Sequence, residues 1–162
     1  MIRRKVAGEA RQFAHNVAMS SPMDLAIAEA LEGRRTGGIP IGAVLECDGR
    51  LFKGHNRRVQ DGNPILHGEM SALLAAGRLT AAAYRRSTMY TTLSPCAMCS
   101  GAILLYGIPR VVIGENVTFM GEEALLRSRG VSLEVLQDPR CIEMMRAFIA
   151  AHPALWNEDI GV

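Results

Sequence analysis

The stretch TMYTTLSPCAMCSGAILLYGIPRVVIG, residues 88–114, decides the architecture. Its opening, Thr88 to Thr92, is rich in β-branched and aromatic side chains and reads as a strand. Ser94-Pro95 then supplies a hydroxyl cap and a proline, the pair that opens helices, and the apolar run to Tyr106 is halted by Gly107. Val111 to Gly114 returns to strand. Strand, helix and strand in one short span are the mark of an α/β protein.

Working outward, the same alternation continues. Upstream, Ser21-Pro22 starts a helix with Asp24 in its positive first turn. Its apolar positions are Met23, Ala26, Ile27, Ala30 and Leu31, and Gly37-Gly38 ends it. Ile41 to Cys47 and Arg50 to His55 pair as a hairpin around Asp48-Gly49. Asn63-Pro64 is expected to open a second helix carrying Met70, Leu73 and Leu74 and stopped by Gly77. Downstream lie a helix from Glu122 to Arg129, a strand from Val131 to Leu136, a long helix from Pro139 to Ala151 and a short piece from Pro153. The expected fold is an α/β sandwich, one mixed sheet with helices on both faces.

Residues 23–162 read as one domain, with no repeat, linker or low-complexity stretch. Residues 1–22 form an N-terminal extension, basic at Arg3, Arg4, Lys5 and Arg11, expected to be a surface helix or a loose tail. Glu9 and the want of a long apolar core argue against a secretory signal there. A net charge of +2 is too small to imply a nucleic-acid or anionic-membrane partner. No apolar run reaches the ~18 residues of a membrane span. Four cysteines do not make a disulfide framework in a chain of this length, and the close pair Cys96 and Cys99 suits metal chemistry in a reducing compartment, the cytoplasm.

The chemistry concentrates in His67-Gly68-Glu69 and Pro95-Cys96-Ala97-Met98-Cys99, each at a predicted helix start. Cysteines three apart on a helix present both sulfurs to one side, and a helix N-terminus favours the thiolate. With His67 as third ligand, the donor set suits Zn²⁺ and leaves a fourth position open for water, the arrangement of a catalytic site. Zinc lowers the pKa of such a water from ~15.7 to about 7. Glu69, two residues from His67, is placed to move protons as a carboxylate outside the ligand set. Two other readings compete: a thioredoxin-like redox pair, and a closed structural site completed by Cys47, Cys141, His15, His55 or His152. Neither explains the paired H-x-E and P-C-x-x-C, and none of the spare residues has ligand-like spacing. Cys47, Cys141, Met144, Met145 and Phe148 read as core.

On these residues the sequence resembles the cytidine and deoxycytidylate deaminase superfamily, whose signature is H-x-E followed by P-C-x-x-C. Within it the likeness is to fungal-type enzymes acting on free cytosine. It extends through Leu66 to Glu69, Gly77-Arg78-Leu79, Tyr90 to Cys96, Gly107 to Arg110, Gly114 to Val117, Gly38 to Gly42, Gly54-His55-Asn56, Trp156 and Glu158 to Gly161. The resemblance implies a three-layer α/β/α fold, a homodimer, one zinc per subunit and hydrolysis of cytosine to uracil. It implies that Asn56 and the Gly68 N–H hold the carbonyl edge of the base, and that Asp159 and the Ser94 carbonyl hold the departing amino group. Phe119 and Trp156 are implied to close over the ring, with Ile41 as a further apolar wall. Asn157, where the fungal pattern has another aromatic, the segment Ala81 to Tyr84 and a shorter hairpin depart from it, which bears on the choice of base. Guanine, creatinine or a cytosine analogue are rival substrates. Adenosine in tRNA is a weaker rival for want of a basic surface. A zinc-stabilised binding module is the non-enzymatic rival, against which Glu69 speaks.

Overall fold

The computed structural model describes residues 20–162. The expectation for the N-terminal extension falls largely on residues 1–19, outside the described residues. Helix α1, Pro22–Arg35, is capped as predicted: Ser21 Oγ accepts from the N–H of Asp24, and Asp24 Oδ2 accepts from the N–H of Ser21, each at 3.1 Å. Strands β1 (Gly42–Cys47) and β2 (Arg50–His55) form the hairpin. Asp48 and Gly49 both take positive φ, 50° and 77°, as its two-residue turn requires. There follow α2 (Arg58–Asp61), α3 (Gly68–Ala76), α4 (Ala81–Tyr84) and β3 (Thr88–Leu93), then α5 (Ala97–Tyr106) and β4 (Arg110–Glu115). The chain closes with α6 (Glu123–Ser128), β5 (Ser132–Val135), α7 (Pro139–Ala151) and α8 (Pro153–Ile160).

The five strands form one mixed sheet in the order β2-β1-β3-β4-β5. β1 runs antiparallel to both β2 and β3, whereas β3, β4 and β5 are parallel. Alternation along the strands separates two cores. Ala43, Leu45, Val111 and Ile113 face Leu73 of α3, Ile103 of α5 and Leu126 of α6. Val44 and Val112 face the opposite way, onto Met23, Ala26 and Ile27 of α1 and Cys141 of α7. Helices therefore cover both faces, the three-layer α/β/α arrangement. A third cluster joins Ile39, Ile41 and Leu93 to Met145 and Phe148 of α7 and Trp156 of α8. It seats the C-terminal helix over the end of the sheet at which β3 stops.

Four expectations need correction. Ser94 does not cap α5: Cys96 is its N-cap, and the Ser94 hydroxyl donates to Glu123 and accepts from the N–H of Gly121. The second helix begins at Gly68, not at Asn63-Pro64. Asn63 Oδ1 accepts from the N–H of Ile65 at 3.2 Å, so the side chain makes a turn where a cap was expected. Leu31 is helical but about half exposed, off the stripe that packs on the sheet. The single turns α2 and α4 were not anticipated, being too short for a periodic signal. Cys47, Cys141, Met144, Met145 and Phe148 are buried as expected.

Candidate metal centre and active-site cavity

Two helix starts meet where β3 ends. His67 is the N-cap of α3 and Cys96 the N-cap of α5, both in extended backbone, so each side chain projects beyond its helix. The approach of α3 depends on Gly54: a Cβ there would lie 2.5 Å from the backbone nitrogen of Ala72. Cys99 follows one turn into α5, fully buried.

The ligand atoms of His67, Cys96 and Cys99 all lie within 4.8 Å of one another. Nδ1 of His67 is 3.5 Å from Sγ of Cys96. Around a tetrahedral zinc, bonds of ~2.05 Å to nitrogen and ~2.3 Å to sulfur put those atoms about 3.6 Å apart. The donor chemistry and the spacing both fit that ion. Among the described residues no fourth His, Cys, Asp or Glu joins the group, which leaves a coordination position for water or substrate. A hydrogen bond from the Cys99 thiol, reinforced against burial by His67, draws the Cys96 thiol down to about 4. Burial opposes charge on His67, but Cys96, Asp159 and Glu69 together hold it at about 9. Cys99, as donor to Cys96 and buried, is pushed well up.

Glu69 sits in the first turn of α3 with 3% of its surface exposed. Burial, with the Cys96 sulfur nearby, raises its carboxyl above the ordinary value. Its Oε1 accepts from the hydroxyl of Thr91 at 3.0 Å; the same hydroxyl lies 3.1 Å from the carbonyl of Leu93. Thr91, on β3 and fully buried, was not singled out from the sequence, where a threonine in a strand carries no signal of such a contact.

His67, Glu69, Ser94, Cys96, Phe119, Trp156, Asp159 and Ile41 line one cavity, joined by Leu93 and Ile160, which sequence reasoning missed. The side chains pack closely around it, so the enclosed space is small. The rings of Phe119 and Trp156 meet edge to face, centroids 5.7 Å apart at 84°. The loop carrying Phe119 is pinned at both ends by buried carboxylates. Glu115 accepts from the N–H groups of Val117 and Thr118, at 2.7 and 2.9 Å, and from the Thr118 hydroxyl. Glu123 accepts from the Ser94 hydroxyl at 2.8 Å and from the amide of Asn116. Asn56 and Gly68 do not line the cavity. Asn56 stands behind it, fully buried, donating from Nδ2 to Oδ1 of Asp159 at 3.0 Å. Gly68 is the first residue of α3, where backbone N–H groups lack helical partners. Burial raises the Asp159 carboxyl, with His67 and Asn56 pulling against it.

Residues 18–115 match the model of the cytidine and deoxycytidylate deaminase zinc-binding region. A cytosine deaminase from Candida albicans is 52% identical over 141 residues, covering 86% of this chain and 94% of that protein. A tRNA-specific adenosine deaminase from Streptococcus pyogenes is 34% identical over 140 residues, 80% of each chain. Among solved structures, guanine deaminase from Nitrosomonas europaea superposes with a TM-score of 0.62 at 23% identity, over 80% of this chain and 83% of that one, a likeness of fold. A zinc-binding donor set beside a buried carboxylate, within a match that spans more than half of the sequence, places this chain in the cytidine and deoxycytidylate deaminase family of zinc-dependent hydrolytic deaminases.

Proposed function

We propose that the protein hydrolyses the exocyclic C–N bond of a free nucleobase, cytosine foremost, giving uracil and ammonia. The carrying observation is Glu69: a buried carboxylate outside the ligand group, facing the same cavity as His67 and Cys96. In this reading His67, Cys96 and Cys99 hold the metal. Zinc, when bound, supplies a Lewis acid that makes water nucleophilic at neutral pH.

Glu69 takes one proton from the attacking water and delivers it to the ring nitrogen beside the amino-bearing carbon. After addition it carries the remaining hydroxyl proton to the amino group. The C–N bond then breaks, ammonia leaves, and the water oxygen stays as the new carbonyl. Thr91, by donating to Oε1, fixes the orientation of the Glu69 carboxylate. Asn56, outside the cavity lining, acts through Asp159, to which its Nδ2 donates at 3.0 Å, and a contact of Asn56 or the Gly68 N–H with the carbonyl edge of the base requires the cavity to open toward them. Asp159 and the Ser94 carbonyl take the amino hydrogens. Phe119 and Trp156 exclude water, and Ile41 supplies an apolar wall. The small cavity supports a single ring without its sugar, and the identity to the Candida cytosine deaminase supports cytosine as that ring.

Two further readings belong here. Exposed Ile65, Leu74 and Tyr106 border an apolar groove on the α3 and α5 side, a surface suited to a second copy of the chain in a homodimer. Four free cysteines support residence in a reducing compartment, the cytoplasm. The described residues contain no helix long and apolar enough to cross a membrane.

Zinc-loaded protein incubated with a panel of free bases and nucleosides is expected to release ammonia from cytosine, form uracil, and stop when a chelator removes the metal. A loaded sample inert on cytosine but active on guanine overturns the choice of base.

A further inference from the structure

Asp159 does more than face the substrate. Nδ1 of His67 is directed at Cys96, so Nε2 is turned away from the sulfurs, and Asp159 Oδ1 stands 3.4 Å from it. That is an ion-pair distance, longer than a tight hydrogen bond. The same oxygen accepts from Asn56 Nδ2 at 3.0 Å. Asn56 is held in turn by Arg58, whose backbone N–H donates to Asn56 Oδ1 at 3.1 Å. The Arg58 guanidinium then reaches Glu158 Oε2, also at 3.1 Å, with 17% of the Arg58 side chain exposed. Glu158 and Asp159 are neighbours on α8. The contacts thus run from α2 to α8, and from α8 onto the imidazole.

A ligating imidazole keeps its tautomer and orientation by donating its other N–H to an acceptor, commonly a carboxylate, and loss of that partner weakens metal binding. Here the carboxylate arrives on the C-terminal helix, the helix that also carries Trp156 over the cavity. We propose that α8 is a metal-retention element: its docking sets Asp159 on Nε2 of His67, so that helix opening and zinc release are coupled, with Arg58 as the positioning residue that seats it. The proposal rests on the ligand set of the preceding section. Coupling of this kind is reciprocal, so bound zinc also holds the helix down.

Trp156 is the single tryptophan of the chain and is buried, so its fluorescence reports the helix without any turnover. The experiment follows zinc release to a chromogenic chelator and acrylamide quenching of Trp156 in the zinc-loaded protein, its Arg58→Ala, Glu158→Gln and Asp159→Asn variants, and the charge-swapped double variant Arg58→Glu/Glu158→Arg. Asp159→Asn is expected to release zinc about tenfold to a hundredfold faster. Arg58→Ala and Glu158→Gln are expected to release it up to about fivefold faster, the scale of a partly exposed ion pair, with a matching rise in quenching. The charge swap is expected to restore both readouts. Stripping zinc from the unmodified protein is expected to raise quenching. If Asp159→Asn gives up zinc no faster than the unmodified protein, or Arg58→Ala uncovers Trp156 while zinc stays as tightly held, the coupling is wrong. An unmodified chain that takes up no zinc overturns the ligand set, and the proposal with it.

Discussion

Replacing Glu69 with Gln tests the proton shuttle while changing almost nothing else. The side chain is buried, so an isosteric amide avoids a cavity, and its carbonyl can keep the hydrogen bond from Thr91 that now measures 3.0 Å. The three metal-ligating atoms belong to other residues, so zinc content is expected to stay at the level of the unmodified protein. What disappears is the group that accepts a proton from water. General acid–base catalysis contributes ~10²–10⁴ in rate, which at 1.36 kcal/mol per decade is about 3–5 kcal/mol of barrier. Glu69 acts at both ends of the reaction, so the loss should lie toward the upper end. The assay is continuous ammonia release at saturating cytosine, paired with metal analysis of the same sample. A Gln variant that retains zinc and turns over within about tenfold of the original would refute the reasoning, because one decade lies below the least that a shuttle supplies.

Thr91→Val removes the hydroxyl that faces Glu69 from a buried site. Hydrogen bonds to charged groups contribute about 1.5–3 kcal/mol, so kcat is expected to fall roughly tenfold to a hundredfold with KM changed little, and Thr91→Ser to recover it; equal losses in Val and Ser argue against the contact. The proposed homodimer is tested by Leu74→Glu, at a groove side chain 68% exposed: light scattering is expected to give a dimer mass for the unmodified chain and a monomer mass for the variant, and a dimer mass for both argues against this groove as the interface. Arg140 joins α1 to α7, donating to Asp138 at 2.6 Å and to Asp24 at 2.9 Å. Both carboxyls are held below their ordinary value of 3.8, chiefly by those hydrogen bonds. Their stabilisation is therefore complete above that value and lost as the pH falls through the lower folded values. Arg140→Leu should move the acid-unfolding midpoint to higher pH, and circular dichroism against pH checks it.

The metal centre was legible in the sequence because its parts are local. Cys96 and Cys99 lie one helical turn apart, His67 and Glu69 two residues apart, and each pair sits beside signals of a helix start. Placement of those starts was less secure: Asn63-Pro64 has the chemistry of a cap but is used for a turn, since a side chain that can accept from nearby N–H groups serves either purpose. Which strand residue faces which helix layer was not legible, because Ala43 to Leu45 and Val111 to Ile113 are apolar throughout, and only the structure divides them between the two faces of the sheet. Leu31 fitted the helical stripe by spacing and still faces solvent, because a stripe names a side of a helix and not the width that its neighbours cover.

By itself, then, the order of residues pointed to the α/β architecture through periodicity and to the candidate donor set with Glu69 beside it through two short motifs, H-x-E and P-C-x-x-C. Only the tertiary structure decided what stands around them: Thr91 on Glu69, Leu93 and Ile160 in the cavity wall, and the path from Arg58 through Asn56 to Asp159 and His67. Asn56 and Asp159 are 103 positions apart in the chain. What brings them together is the seating of α8 on the apolar cluster of Ile39, Ile41 and Phe148, a packing outcome that no local pattern encodes.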